Sequence, residues 1–184
     1  MPATYDLLGK TTAPGSSATL EVTGIPATHN DLVIVFAGRS TDTTDPENGC
    51  FIRFNGETGY NKYFEQHMVL RDDNSTGVDQ NRNANKLKMW SVPCNGVSWY
   101  HNLEINIQNY VRTGCPAGGE HAFMCSMRTV REDNNPGDSS SIGQATMSFV
   151  PSGTDAFSAV SFHTSGSANW ASGSNVRVYG IKSS

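Results

Sequence analysis

Residues 103–108 read Leu103-Glu104-Ile105-Asn106-Ile107-Gln108, and this strict alternation of aliphatic and polar side chains decides the fold class. A period of two places alternate side chains on opposite faces of a strand, one face buried and the other in water. Residues 32–36 are instead continuously apolar and rich in β-branched side chains, which is typical of a central strand covered on both faces. Both segments predict β structure.

Short segments of the same kind recur along the whole chain. We expect further strands at residues 4–8, 18–22, 51–54, 63–70, 86–92, 122–130, 146–150, 156–163 and 175–181. Clusters rich in Asp, Asn, Gly and Pro separate them, at residues 45–49, 72–77, 115–119 and 134–138. Because no segment combines helical periodicity with a cap and a glycine stop, any helix should be short. The sequence therefore predicts an all-β fold, an antiparallel β-sandwich of jelly-roll-like type, as a single domain over residues 1–184.

Charge and hydropathy exclude two classes of partner. The formal net charge is -4, and the Lys and Arg residues are scattered, so no basic patch is expected to neutralise a nucleic-acid backbone. No apolar run approaches the roughly 18 residues that span a bilayer, and the chain starts with neither a basic leader nor an apolar stretch. We therefore expect no nucleic-acid partner, no membrane insertion and no conventional secretion.

The four cysteines, Cys50, Cys94, Cys115 and Cys125, lack the close paired spacing of a zinc or redox site. Cys115 and Cys125 together with His121 come nearest to a zinc ligand set, but a fourth ligand is missing. Buried thiols are the expected state, with a Cys94–Cys115 disulfide as the alternative. Neither a metal ion nor another cofactor is predicted.

Two acidic segments, residues 42–48 and 72–79, could offer oxygen ligands to calcium. Neither follows the spacing of the twelve-residue calcium loop. Asp and Asn are favoured in turns for backbone hydrogen bonding alone, so both segments are interpreted as solvated turns.

No pattern in the chain indicates catalysis. The Gly-x-Ser-x-Gly elbow of serine hydrolases is absent, and His163, followed by Thr-Ser-Gly, is interpreted as a solvated histidine at a loop edge. A glycan depolymerase could use a carboxylate pair drawn from Glu65, Glu104 and Glu120. Glu104 is nevertheless explained by its place on the polar face of a strand. We predict that the protein is not an enzyme.

Aromatic residues near the expected loops give the one positive indication of a binding site. Asn, Ser or His residues lie close to each of them in sequence, and flat apolar rings beside short polar side chains suit a sugar face or a protein interface. Packing in the core or between subunits explains the same residues, and we prefer it because large rings bury the most apolar area. The candidate glycan- or partner-binding residues are Trp99, Tyr100, Tyr110 and Trp170.

Three segments carry a resemblance to a known group of proteins. Residues 25–34 read Ile-Pro-Ala-Thr-His-Asn-Asp-Leu-Val-Ile, residues 52–61 contain an Arg-Phe-Asn-Gly turn, and residues 173–182 end on Tyr-Gly-Ile-Lys. Together with the start at residues 5–8, they resemble small structural proteins of tailed bacteriophage virions. The resemblance implies a β-sandwich on the surface of the tail or head, and it implies no catalytic residues.

The expected function follows from that resemblance. We expect a virion structural protein, made in the host cytoplasm and displayed on the particle as a tail-fibre, baseplate or receptor-binding module. A capsid decoration protein and a lectin-like glycan-binding domain are the alternatives. Expected partners are further copies of the chain, as a homotrimer by analogy with phage fibres, other virion proteins and host-surface glycan.

Overall fold

The computed structural model of the chain describes residues 5–41, 50–60, 62–71, 76–89, 101–110, 123–131, 141–150, 157–164 and 166–182. In these ranges the backbone forms β-strands, turns and bends but no helix, and consequently none with the length and apolar character needed to cross a bilayer. The strands are β1 (Tyr5–Thr12), β2 (Thr19–Thr23), β3 (Asp31–Gly38), β4 (Phe51–Phe54), β5 (Tyr63–Arg71), β6 (Thr76–Ala84), β7 (Leu87–Lys88), β8 (His101–Ile107), β9 (Phe123–Arg131), β10 (Ser141–Phe149), β11 (Ala159–His163) and β12 (Asn175–Ile181).

The strands form two antiparallel sheets. The large sheet has the order β1-β12-β3-β8-β9-β10-β5-β6, and the small sheet has the order β2-β11-β4-β7. Every pair is antiparallel. The predicted all-β antiparallel sandwich is thereby confirmed, whereas its jelly-roll character and its extent as a single domain stay predictions.

The alternating residues of β8 face the core and the solvent as the sequence predicts. Leu103, Ile105 and Ile107 are buried between the sheets, while Asn102 and Glu104 are exposed on the outer face of the large sheet. β3 lies between β12 and β8, as expected for a strand that is apolar on both faces. Burial of such side chains is the main stabilising contribution, roughly 1.5–3 kcal/mol for each large one.

Aromatic rings join the two sheets across the core. Phe36 of the large sheet stacks on Phe162 of the small sheet, with ring centroids 5.0 Å apart and planes inclined by 6°. Phe54 in β4 contacts Phe149 in β10 at 5.4 Å and Phe157, just before β11, at 5.0 Å. The buried residues form one continuous cluster between the sheets.

The chain leaves the small sheet for the large one through a tight turn at Asn55 and Gly56. Both residues have positive φ, 51° and 67°, which is typical of a type I′ turn and favours Asn-Gly. The Glu57 amide donates to the Phe54 carbonyl at 2.9 Å and closes the turn. The hydroxyl of Tyr63 donates to the Glu57 carbonyl at 3.0 Å, so the first residue of β5 also holds the turn.

At the edge of the sandwich β1 and β2 come close together at Gly9. A Cβ atom at this position would lie 2.3 Å from Cγ1 of Val22, so only glycine allows the approach. The pairing of β1 with β12 shifts register between Leu7 and Gly9, as in a β-bulge. The bulge turns the strand while Leu7 stays on the outer face, opposite Tyr179.

β1 and β10 are longer than predicted, since β1 extends to Thr12 and β10 begins at Ser141, and two further segments differ in kind from the prediction. β6 occupies residues 76–84, where the sequence indicated the end of a turn and a solvated acidic loop. This strand is composed of polar residues apart from Gly77, Val78 and Ala84, so it lacks the apolar alternation that marks a half-buried strand. It is an edge strand that pairs only with β5. Conversely, of the strand expected at residues 86–92, only Leu87–Lys88 is a strand, and residues 90–92 lie outside the described part.

Candidate functional site

Two of the four predicted binding aromatics are core residues. Trp170 and Tyr110 have no exposed surface, so neither ring offers a face to a sugar or a partner. The prediction of a binding role is wrong for both, and core packing, the preferred alternative, explains them. Trp99 and Tyr100 lie outside the described residues, and their role stays a prediction.

Trp170 is buried because its backbone and its ring both have structural partners. Its backbone bridges Ser17 and Ser40, and its indole Nε1 donates to the Phe162 carbonyl at 3.1 Å. The ring meets Phe36 edge to face at 5.0 Å. A Trp N–H normally finds such an acceptor when the ring is buried.

Tyr110 closes the same core near the start of β3. Its hydroxyl donates to the Pro26 carbonyl and accepts from the His29 amide at 3.4 Å, and its ring packs edge to face on Phe157 at 6.4 Å. Burial raises the pKa of this phenol, with backbone hydrogen bonding opposing the rise.

Of the three candidate depolymerase carboxylates, the two that the structure describes, Glu65 and Glu104, are not brought together. Glu65 is buried, in register with the core residue Met147, and accepts a hydrogen bond from the Lys88 amide at 2.9 Å. Glu104 is exposed on the outer face of the same sheet, where the Asn106 amide donates to it at 2.9 Å. Carboxylates on opposite faces of a sheet cannot flank one glycosidic bond. Glu120 lies outside the described residues.

Of the predicted metal and thiol sites, only parts are described. Cys50 is a fully buried thiol in the core, and Cys125 lies in β9. Cys94, Cys115 and His121 lie outside the described residues, as do residues 42–48 and 72–75 of the two acidic segments. Among the residues that the structure describes, no three His, Cys, Asp or Glu side chains are grouped so that they could hold a metal ion.

A candidate site lies on the side of the small sheet that points away from the core. We call this side the outer face of the small sheet. Alternate residues of its strands point there, while Leu20, Ile52 and Phe162 point into the core. Register places His163 between Thr19 and Phe51, and Ser161 between Glu21 and Arg53. The face consists of Thr19, Glu21, Phe51, Arg53, Lys86, Lys88, Ser161 and His163.

Two hydroxyl groups fix the imidazole of His163. Its Nε2 is 2.8 Å from the Ser161 hydroxyl, and its Nδ1 is 3.1 Å from the Thr19 hydroxyl. One ring nitrogen donates and the other accepts, so both hydroxyls take part in orienting the ring. Ser161 itself is buried and also approaches the Arg53 carbonyl, at 3.5 Å. In this arrangement the hydroxyls hold the histidine in one orientation.

The ring of Phe51 contacts three other side chains of this face. His163 stacks on it with centroids 4.7 Å apart and planes inclined by 10°. The guanidinium carbon of Arg53 lies 4.8 Å from the Phe51 centroid, and the Lys86 ammonium lies 4.4 Å from it. Both distances are within the range of cation–π attraction. One aromatic ring therefore brings two cations and an imidazole into a small area.

Burial lowers the pKa of His163, and the nearby positive charge of Arg53 lowers it further. The imidazole is consequently held in its neutral form at neutral pH. Arg53 has a further property: its Nε atom is buried and has no hydrogen-bond partner within the described part of the chain.

Sequence reasoning did not identify this face. The signal is present, because Phe51 and Arg53, and Ser161 and His163, stand two apart in segments that were predicted as strands. The sequence does not show that Thr19 lies beside His163, because the two residues are 144 positions apart. His163 was expected to end a strand as a solvated residue; it does end β11, but its side chain is half-buried.

A second exposed feature lies on the outer face of the large sheet, at β1. Tyr5 and Leu7 are 60% and 57% exposed. They stand opposite Ile181 and Tyr179, and the rings of Tyr5 and Tyr179 meet edge to face at 6.5 Å. These four residues form an apolar patch, which we call the β1 patch.

No family model, curated protein or solved structure matches the chain, so the function must be argued from its own residues.

Proposed function

We propose that this protein is a surface module of a phage particle, displayed on the tail fibre or baseplate, that attaches the particle to a host glycan. The observation that carries the adhesive part is the stack of Phe51 and His163 on the outer face of the small sheet. Both rings are partly exposed, and hydroxyl and cationic side chains surround them. Partly exposed rings beside hydrogen-bonding groups suit a sugar.

The virion part of the proposal is supported by the resemblance at residues 25–34, 52–61 and 173–182. The expected Arg-Phe-Asn-Gly turn is a real turn here, since Asn55 and Gly56 both have positive φ. Catalysis is not part of the proposal. Release of sugar from host polysaccharide by the purified protein would contradict that exclusion.

The location can be tested on purified particles labelled with antibody against this protein. Negative-stain images should show label at a fixed position on the tail. Absence of the protein from purified virions would overturn the proposal. A glycan array with the purified protein tests adhesion separately, and it should show at least one bound host glycan.

The array also locates the binding site. Replacement of Phe51 by Leu should abolish glycan binding if the outer face of the small sheet is the site. Replacement of Trp99 and Tyr100 by Ala should abolish it if those rings are the stacking residues. Binding that survives both changes would contradict both placements.

The β1 patch favours a second candidate function, that of a capsid decoration protein. Exposed apolar side chains grouped on a sheet face suit contact with another protein, such as a shell subunit. Copy number separates the two functions. Densitometry of virion proteins should give few copies for a tail module and hundreds for a decoration protein.

A further inference from the structure

The outer face of the small sheet is positively charged, whereas the whole protein carries a net negative charge. The chain carries a formal net charge of -4. On this face, within the described residues, Arg53, Lys86 and Lys88 stand against the single carboxylate of Glu21. The face is therefore a local cationic area on an acidic protein, and its field attracts anions.

Two cations lie over the Phe51 ring. Arg53 and Lys86 approach the same ring centroid, at 4.8 Å and 4.4 Å. Like charges on the same ring repel each other, and a bound anion would offset that repulsion.

Arg53 also has unused hydrogen-bonding capacity. Its buried Nε–H has no acceptor among the described residues, and a buried donor without an acceptor is costly. A carboxylate binds a guanidinium side-on through two parallel hydrogen bonds, one from Nε and one from a terminal nitrogen. Nε is buried in this conformation, so a ligand carboxylate supplies the missing acceptor only if the Arg53 side chain moves.

We propose that the outer face of the small sheet binds a carboxylate-bearing sugar, a uronic or sialic acid, with its carboxylate on Arg53 and Lys86 and its ring against the parts of Phe51 and His163 that their stack leaves exposed. This inference rests on the proposed glycan-binding function and names the class of glycan. The hydroxyls of Thr19 and Ser161 are already bonded to the imidazole. They therefore keep the ring pair in place while the cations select the acidic group.

The test compares acidic glycans with their own methyl esters on one array of uronate and sialate oligosaccharides. Esterification removes the charge and leaves the rest of the sugar unchanged. We expect acidic forms to bind at least about tenfold more tightly than their esters, since charge-assisted hydrogen bonds are lost. We also expect binding to weaken as the salt concentration rises.

Variants then identify the residues that bind the carboxylate. Arg53→Gln and Lys86→Gln should each weaken binding of the best acidic glycan about tenfold or more. Arg177→Gln is the matched control, because Arg177 is an exposed arginine on the outer face of the large sheet, and it should leave binding unchanged. Lys86 precedes β7, so its variant tests the site even if loss of Arg53 disturbs the fold.

The outcomes separate this inference from the proposed function. If neutral glycans or esters bind as well as the acids, the carboxylate assignment is wrong while adhesion stands. If only sulfated or phosphorylated sugars bind, the carboxylate assignment is again wrong. If an acidic glycan binds through Arg53 but the protein is absent from virions, the site stands and the virion function fails. If Arg177→Gln weakens binding as much as Arg53→Gln, the site is misplaced.

Discussion

His163 lies face to face with Phe51, their ring centroids 4.7 Å apart and their planes 10° from parallel. The two residues are directly opposite each other on β11 and β4. Burial in this stack, and then the charge of Arg53, lower the pKa of the histidine. The folded chain therefore favours the uncharged imidazole.

The first prediction concerns stability against pH. Because the pKa of His163 is lower in the folded chain than its ordinary value of 6.5, the unfolded chain binds this proton first as the pH falls. The stability that depends on neutral His163 is present above about pH 6.5 and is lost below it. Urea unfolding between pH 7.5 and 5 should show a steeper loss for the natural chain than for His163→Gln. Equal slopes would show that His163 does not titrate in this window.

The second prediction concerns Trp170. Replacement by Ala should lower the free energy of unfolding by about 3–5 kcal/mol, because a fully buried indole leaves a cavity. Replacement by Phe keeps a ring against Phe36 but leaves the Phe162 carbonyl without its donor, and should cost about 1–3 kcal/mol. Urea denaturation measures both changes. Trp170→Ala with unchanged stability would contradict the core position.

The third prediction concerns Asp6, which anchors β1 to the loop before β3. His29 Nε2 lies 2.9 Å from its carboxylate, and the Lys182 ammonium lies 3.7 Å from it. The hydrogen bond from His29, followed by the charges of Lys182 and His29, lowers the pKa of Asp6 although desolvation opposes it. This stability is present above the unfolded value of 3.8 and is lost as the pH falls through the lower folded value.

Acid unfolding checks this prediction. The natural chain should lose stability more steeply below about pH 4 than Asp6→Asn, which cannot titrate. Glu104→Gln serves as the control, since Glu104 is an exposed carboxylate on the outer face of the large sheet. If Glu104→Gln reduced the loss of stability at acid pH as much as Asp6→Asn does, Asp6 would have no special role.

The fourth prediction concerns the β1 patch and the expected homotrimer. The double change of Tyr5 and Leu7 to Ser removes two exposed apolar side chains, so it should leave the fold intact and reduce self-association. Sedimentation velocity measures the oligomeric state. Met68→Ser is the matched control, because Met68 is 49% exposed on β5, close to the opposite edge of the same sheet. Trimers that persist in the double variant would place the subunit contact elsewhere.

Much of the fold was predictable because strand patterning is local. The alternation in residues 103–108 and the apolar run in residues 32–36 predicted β8 and β3 together with their burial. β6 was not predicted because an edge strand with a polar composition shows no alternation of apolar and polar residues. The turn at Asn55-Gly56 was expected from the resemblance, and it forms because Asn and Gly tolerate the positive φ of both positions.

The sequence by itself determined most of the strands and their inward faces, because each of these depends on neighbours within a few residues. Only the tertiary structure decided that Trp170 and Tyr110 are core residues and that Phe51, Arg53, Ser161 and His163 share a face. Antiparallel pairing between distant segments sets which side chains meet, and no local pattern encodes the partner. That is why the buried rings were candidates for binding and the paired cluster was not.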